Sequence, residues 1–288
     1  MMDDVLKFAT FLGEPFAEDF MLQAFVIGSL VAAVCAVLSC FLVLRGWSLM
    51  GDAISHAVLP GIVLAYIAGI PLAFGAFASG LFCAVSTGWI KNNSRIKEDT
   101  VMGVVFTGMF AVGLVLFSRT PSDMHLDHIL FGNILGITTA QMRETAILSA
   151  IVLATVLLLR RDLMLVCFDP SHARVIGRPV KTLTYLLLIL LSLAIVAAMK
   201  AAGLILVIAM LITPGATALL LTKRFDRMLA LATTIAVGSA ITGIYISYFA
   251  AASTAACIVL VQALVFVSTL LARRTGASAD QSNSSLNK

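Results

Sequence analysis

In the stretch GDAISHAVLPGIVLAY, residues 51–66, an aspartate and a histidine stand four apart, at Asp52 and His56, and Pro60 follows four further on. Their neighbours are almost all apolar. On a helix such a spacing puts both side chains on one face, with Cβ atoms about 5–6 Å apart. A carboxylate oxygen and an imidazole nitrogen so placed can converge on one cation at about 2 Å. Pro60 has no N–H to give the carbonyl of His56 and tends to kink the helix there, which frees a third oxygen. A charge near the middle of a bilayer costs at least about 2.5 kcal/mol, so an embedded Asp52 must face protein, water, a partner charge or an ion. The competing reading is structural: the two groups bond each other or a neighbouring helix and only lock the packing. As a metal site the pair is incomplete, because a cation usually takes four or more ligands. A two-fold pair of chains would bring two Asp and two His to one axis. That thiolate-free set suits Mn, Fe or Zn better than Cu(I).

Other stretches carry weaker signals. In SDMHLDHILFG, Asp123, His125, Asp127 and His128 crowd together. They could attract a cation, contact a soluble partner, or form an ordinary solvated loop, since no spacing among them is diagnostic. In FDPSHARVIGRP, Asp169 and Pro170 match an N-cap and first helical position. A short helix over 170–176, with Ser171, His172, Ala173 and Arg174, should follow, and Gly177 suits its stop. Framed by Arg160, Arg161, Arg178 and Lys181, it could be gripped by a soluble partner or lie as an amphipathic interfacial helix. His172 is expected to be exposed there. Pro214-Gly215 interrupts GLILVIAMLITPGATALLL, as a kink lining a pore or as one that lets helices pack closely. No GxxxxGK[ST], HExxH or GxSxG occurs, and no span holds a second acid to pair with Asp52. The chain is therefore not expected to be an enzyme. Energy for active transport would come from a separate ATPase or an ion gradient. The five cysteines form no CxxC and read as small packing residues.

The elements that carry these residues follow from composition. Of 288 residues 60% are apolar and 12% charged, with a mean hydropathy of +1.05. Ordinary soluble domains are about 25% charged. An all-α, polytopic membrane protein is expected. Apolar runs mark spans at roughly 20–43, 48–68, 71–90, 100–118, 145–159, 182–199, 203–222, 228–248 and 253–272. The fifth is short and can start earlier, within ITTAQMRET. This gives nine spans, or eight if one segment only dips in. Of the 19 basic residues, all but Lys7, Arg119, Arg143 and Lys200 fall on one set of alternate connections. The positive-inside rule makes that side, with the C-terminus, cytoplasmic. The net charge of +4 thus reports topology rather than nucleic-acid binding. An acidic start, with Asp3, Asp4, Glu14, Glu18 and Asp19, does not read as a secretory signal. The expected organisation is an extracytoplasmic segment 1–19, one transmembrane domain 20–272 with an inner loop near 160–181, and a disordered cytoplasmic tail 273–288.

GDAISHAVLPGIVLAY, DHILFGNILG, FDPSHARVIGRPV and GLILVIAMLITPGATA, in this order and spacing, resemble one family. It comprises the permease subunits of bacterial ABC importers for manganese, chelated iron and zinc. The resemblance runs from about residue 20 to 272. It implies the ABC importer permease fold in the cytoplasmic (inner) membrane. It also implies a second permease copy or paralogue, a cytoplasmic ATP-binding subunit and an extracytoplasmic metal-binding protein. Asp52 and His56 match the family's D-x-x-x-H and would handle the metal, which is cargo rather than a permanent cofactor. Binding needs neutral histidine, so uptake should decline on acidification. Pro60, Pro214 and Gly215 would be helix breaks along the pathway. The segment from Asp169 to Gly177 resembles the family's coupling helix. Many members carry an acid after Asp-Pro where this chain has Ser171. The alternatives are an ion-coupled secondary metal transporter and an ABC permease for a bulkier iron chelate.

Overall fold

The computed structural model describes residues 18–120 and 134–286. Long helices follow one another: α1 Asp19–Arg45, α2 Met50–Ala68, α3 Leu72–Asn93, α4 Glu98–Arg119 and, after a 3-10 turn at Ile134–Gly136, α5 Thr139–Leu158. Short α6 Arg160–Phe168 and α7 Pro170–Val175 precede α8 Val180–Leu221, α9 Phe225–Ala250 and α10 Thr254–Leu286. Among the described residues no strand occurs, and eight helices are long and apolar enough to cross a membrane. Helix α1 is the axis of the core. Leu38, Phe41 and Leu42 are fully buried there, among residues of α5, α8 and α9. It ends in a left-handed Gly46 (φ 75°), whose position lets Trp47 N donate back to Leu42 O.

Eight helices and nine expected spans meet at Gly203. Helix α8 has 42 residues, about 63 Å at 1.5 Å per residue, twice a bilayer's hydrocarbon core. Gly203 breaks it, with φ 75° and ψ 166°, a conformation open almost only to glycine. The chain reverses there. Ser192 lies near Gly80, and Leu211 lies against Gly51 at the start of α2. Val196 and Leu204, either side of the break, share one buried cluster with Val58, Ile62 and Ala76. The two halves of α8 thus run antiparallel, so this helix, one of the eight among the described residues, makes two apolar passages.

Helix α5 starts at Thr139, earlier than its apolar run. A reciprocal capping box fixes the start: Gln141 N donates to Thr138 Oγ1 (3.3 Å) and Thr138 N to Gln141 Oε1 (3.1 Å). At the other end of the chain, the helical backbone of α10 continues to Leu286, into the polar tail that composition leaves unstructured. Extending an existing helix fixes one residue per added bond, so it needs no apolar core.

Helices α2 and α3 are locked in one antiparallel register. Cys83 Sγ donates to Ala53 O (3.9 Å), Ser79 Oγ donates to Ala57 O (2.6 Å), and Gly61 meets Gly75 backbone to backbone. Each step moves four residues along α2 and four back along α3. A Cβ on Gly61 would collide with the carbonyl of Gly75. Small residues allow this approach, and hydroxyl-to-carbonyl bonds hold it where water is absent. Gly61→Val is therefore expected to destabilise the purified protein by about 1–3 kcal/mol. Gly203→Ala should cost a similar amount, about 1–3 kcal/mol, by forcing alanine into its conformation. Gly88→Ala, where a Cβ meets nothing within 4 Å, should cause no loss. Thermal midpoints in detergent check all three, and a midpoint unchanged in Gly61→Val would refute the register.

Candidate functional site

Asp52 and His56 lie in the first turns of α2, and His56 Nε2 sits 3.3 Å from Asp52 Oδ1. From Met50 to Val63 every residue of α2 is buried except these two. Their side chains are each 30% exposed, so the one opening on this stretch is the polar one. Among the described residues neither side chain has a second polar partner, which leaves Asp52 Oδ2 and His56 Nδ1 open. The arrangement can share a proton between Nε2 and Oδ1, or put a cation in its place. Among the described residues no third His, Cys, Asp or Glu joins them.

Helix α4 forms the wall beside the pair. His56 stacks near Phe106 (centroids 6.0 Å apart, 26° between planes) and meets Phe110 edge-on at 5.3 Å. The rings fix the imidazole's orientation and screen one side of it from water. Helix α4 comes this close because Gly113 lies over Pro60. A Cβ there would stand 2.9 Å from Pro60 Cδ and N. Pro60 is itself buried, between the histidine and the Gly61–Gly75 crossing. A cavity of about 730 Å³ between α2, α3 and α4, lined by Pro60, Gly61, Leu64, Phe82 and Met109 among others, does not include Asp52 or His56. Its walls are almost wholly apolar, so it offers an ion nothing.

For the second break, close packing is the explanation that has contacts. Pro214 and Gly215 are buried, and Ser39 of α1 bridges the interruption. Its Oγ donates to Ile212 O (3.2 Å) and accepts from Gly215 N (3.0 Å). Gly215 has no room for a side chain, since its Cβ would fall 2.7 Å from the backbone of Ser39. Asp123, His125, Asp127 and His128 lie outside the described residues.

The segment after α5 is a small platform at the Arg45 end of the bundle. Asp169 caps α7, its Oδ1 accepting from Ser171 N (3.0 Å) and His172 N (2.9 Å), with Pro170 as first residue. Gly177 (φ 79°) stops the turn, and Arg178 N reaches back to Ala173 O (2.9 Å). Ala173 is buried, whereas Ser171, His172 and Arg174 are exposed. Arg45 donates to Val166 O (2.7 Å) and lies over Trp47, which pins α6 to the end of α1. Arg178 pairs with Asp162 at 3.3 Å, and Arg160 with Asp226 at 3.2 Å. Burial pushes the Cys167 thiol up to about 11, against the opposing pull of Arg45, so it is a packing group.

Two features escaped the sequence reading. Phe168, Val175 and Ile176 stand 78%, 85% and 52% exposed around α7, an apolar patch outside the spans. Their apolar character alone points to a core position, and only the fold turns them outward. At the opposite end of the bundle, Lys200 Nζ lies 2.8 Å from both carboxylate oxygens of Glu144. Thr145 Oγ1 beside it donates to Ala197 O (3.2 Å), so α5 is fastened to the turn of α8. The available signal was Lys200, a lone cation in a long apolar run.

Known proteins match this architecture over nearly its whole length. The chain is 59% identical over 260 residues to the chelated iron transport system membrane protein YfeD of Yersinia pestis, covering 90% of this chain and 88% of that one. It is 50% identical over 256 residues to the manganese transport system membrane protein MntB of Synechocystis sp., covering 89% and 84%. Among solved structures, PsaBC from Streptococcus pneumoniae in complex with Fab superposes with a TM-score of 0.82 at 38% identity, covering 91% of this chain and 95% of that one. The model of the ABC 3 transport family matches residues 17–273. With eight described helices long and apolar enough to cross a membrane, and a polar pair at the one opening of the buried stretch Met50–Val63, the chain belongs to the ABC 3 transport family of multi-pass membrane proteins.

Proposed function

We propose that this chain is the permease subunit of an ATP-driven importer for a divalent transition metal, manganese, iron or zinc. The observation that carries the reading is the Asp52–His56 pair, the sole opening on a buried stretch of α2 and half of a metal's ligand set. Two related proteins are named for chelated iron and for manganese transport, which supports the cargo class. A second copy of the chain, or a paralogue, supplies the other Asp and His across a two-fold axis. The resulting four-ligand site of two carboxylates and two imidazoles is weak enough to release its ion, as conduction requires. An extracytoplasmic metal-binding protein delivers the ion at the end where Glu144 and Lys200 pair.

Force enters at the other end. Helix α7 is capped at its start by Asp169, stopped at Gly177 and tied through α6 to α1, so it moves as a unit. Its exposed apolar patch of Phe168, Val175 and Ile176, beside Arg174, suits a groove on a separate cytoplasmic ATPase. That arrangement supports placing the basic end in the cytoplasm.

Asp52→Ala and His56→Ala should each lower ATP-dependent uptake of radioactive manganese, iron and zinc by roughly tenfold or more. Membrane insertion, read by detergent-solubilised size-exclusion profile, should be unchanged. Normal uptake in both variants would remove the site. Uptake that persists with a hydrolysis-dead ATPase would overturn the ATP-driven reading itself. Val175→Asp should abolish copurification with the ATPase by placing a charge on the docking patch. Asp169→Ala, which costs the short helix about 1 kcal/mol of capping, should weaken that association without abolishing it. Full copurification of Val175→Asp would place the docking surface elsewhere.

A further inference from the structure

At the basic end of the bundle the end of α8 and the middle of α10 border a cavity of about 670 Å³. Lys223 and Arg273 stand in its walls, with Thr222, Ser268, Thr269 and Leu221. Fifty residues of chain separate the two cations, so the fold brings them together. Three other basic residues at this end do have partners: Arg160 pairs with Asp226, Arg178 with Asp162, and Arg45 meets Val166 O and the Trp47 ring. Among the described residues Lys223 and Arg273 have no carboxylate partner.

The hydroxyls divide into two kinds. Thr222 Oγ1 accepts from Arg224 N (3.2 Å), which leaves its own hydrogen to donate. Ser268 and Thr269 both spend their hydrogens on Val265 O, at 2.9 and 2.7 Å, so their oxygens can only accept. The cavity therefore offers two cations and one hydroxyl donor to an anion, with acceptor oxygens beside them. Below it the surface is apolar and uncovered in this chain. Leu260, Leu264, Val267 and Leu271 form an exposed stripe along α10, and Leu219 and Leu221 are exposed on α8. An anion site with an apolar track running into the membrane matches an amphiphile, head and tail together.

We propose that this cavity binds the phosphate of an anionic phospholipid. Lys223, Arg273 and the Thr222 hydroxyl hold the phosphate oxygens, and the acyl chains lie along Leu221 and the stripe of α10. The acceptor oxygens of Ser268 and Thr269 favour a headgroup that carries hydroxyls, as a phosphatidylglycerol does. A zwitterionic headgroup brings an ammonium or quaternary amine next to two cations and is disfavoured.

Native mass spectrometry of the full-length protein, titrated in detergent with phosphatidylglycerol, phosphatidylcholine or inorganic phosphate, tests the assignment. The wild type should retain one phosphatidylglycerol more tightly than others, and phosphatidylcholine weakly. Lys223→Gln with Arg273→Gln should weaken that retention roughly tenfold or more. Lys223→Arg with Arg273→Lys, which keeps both charges, should preserve it. Arg95→Gln with Lys97→Gln, which removes two basic residues elsewhere in the chain, should also preserve it. If the Gln pair cannot be purified, Thr222→Val reads the same site and should show a partial loss. Equal losses in the two Gln pairs would overturn the proposal in favour of diffuse surface charge. Displacement of the lipid by millimolar inorganic phosphate would make the ligand a free anion. Loss of a two-chain species in the Lys223/Arg273 Gln pair alone would make the cavity part of an interface between copies. Either result overturns the lipid assignment.

Discussion

A carboxylate inside an apolar helix cannot be left facing hydrocarbon, and the surroundings of α2 answer that constraint. Asp52 is not hidden; it is kept open on one side and enclosed on the others. Helix α3 is held against α2 by hydroxyl, thiol and glycine contacts in a single register, and α4 is brought onto Pro60 by Gly113. With these neighbours in place, the polar pair is the part of Met50–Val63 that still reaches the surface. In a bilayer such an opening is sustainable only toward water, another polar surface or an ion. The tight packing and the polar opening are one device, since the first decides where the second can point.

The two proline breaks show why like sequence features have unlike uses. At Pro214-Gly215 a serine from α1 fills the interruption, donating to one side and accepting from the other. The proline-containing turn thereby becomes a packing joint between α1 and α8. Pro60 is covered by Gly113 of α4, and Phe106 and Phe110 of the same helix then press on His56. Here the break shapes the wall of the polar pair. Gly203 is a third kind, a reversal that glycine alone adopts easily, secured by Glu144 on the nearby Lys200.

Much of this was legible in the sequence, because membrane proteins announce their spans by hydropathy and their exceptions by charge. Asp52 and His56 stood out since ionisable residues are costly at that depth. The cap at Asp169 and the stop at Gly177 were legible because capping is local chemistry. What could not be read depends on which helices meet. The partner of Lys200 was invisible because Glu144 lies 56 residues away, in a helix whose start is set by a cap rather than by its apolar run. The exposure of Phe168, Val175 and Ile176 could not be read, since apolarity cannot distinguish burial in one chain from burial against another. The count of spans turned on Gly203, where one non-helical residue reverses the chain between two helices that follow without a loop.

The incompleteness of the Asp52–His56 site bears on how the proposed transporter could work. A site assembled wholly within one chain would keep its ligands together whatever its partners did, and a rigid four-ligand site holds its ion. Under the proposed two-fold arrangement each subunit holds a matched half, braced by its own α3 and α4. Small relative rotation of the subunits then separates the halves while each remains intact. Binding and release become consequences of one rigid-body motion, with no ligand needing to change rotamer. The packing that makes each half stiff is what such a mechanism requires, because a soft half would follow its ion instead of giving it up. On this view the distinction between holding the metal in transit and closing the path behind it dissolves: when the halves meet they do both.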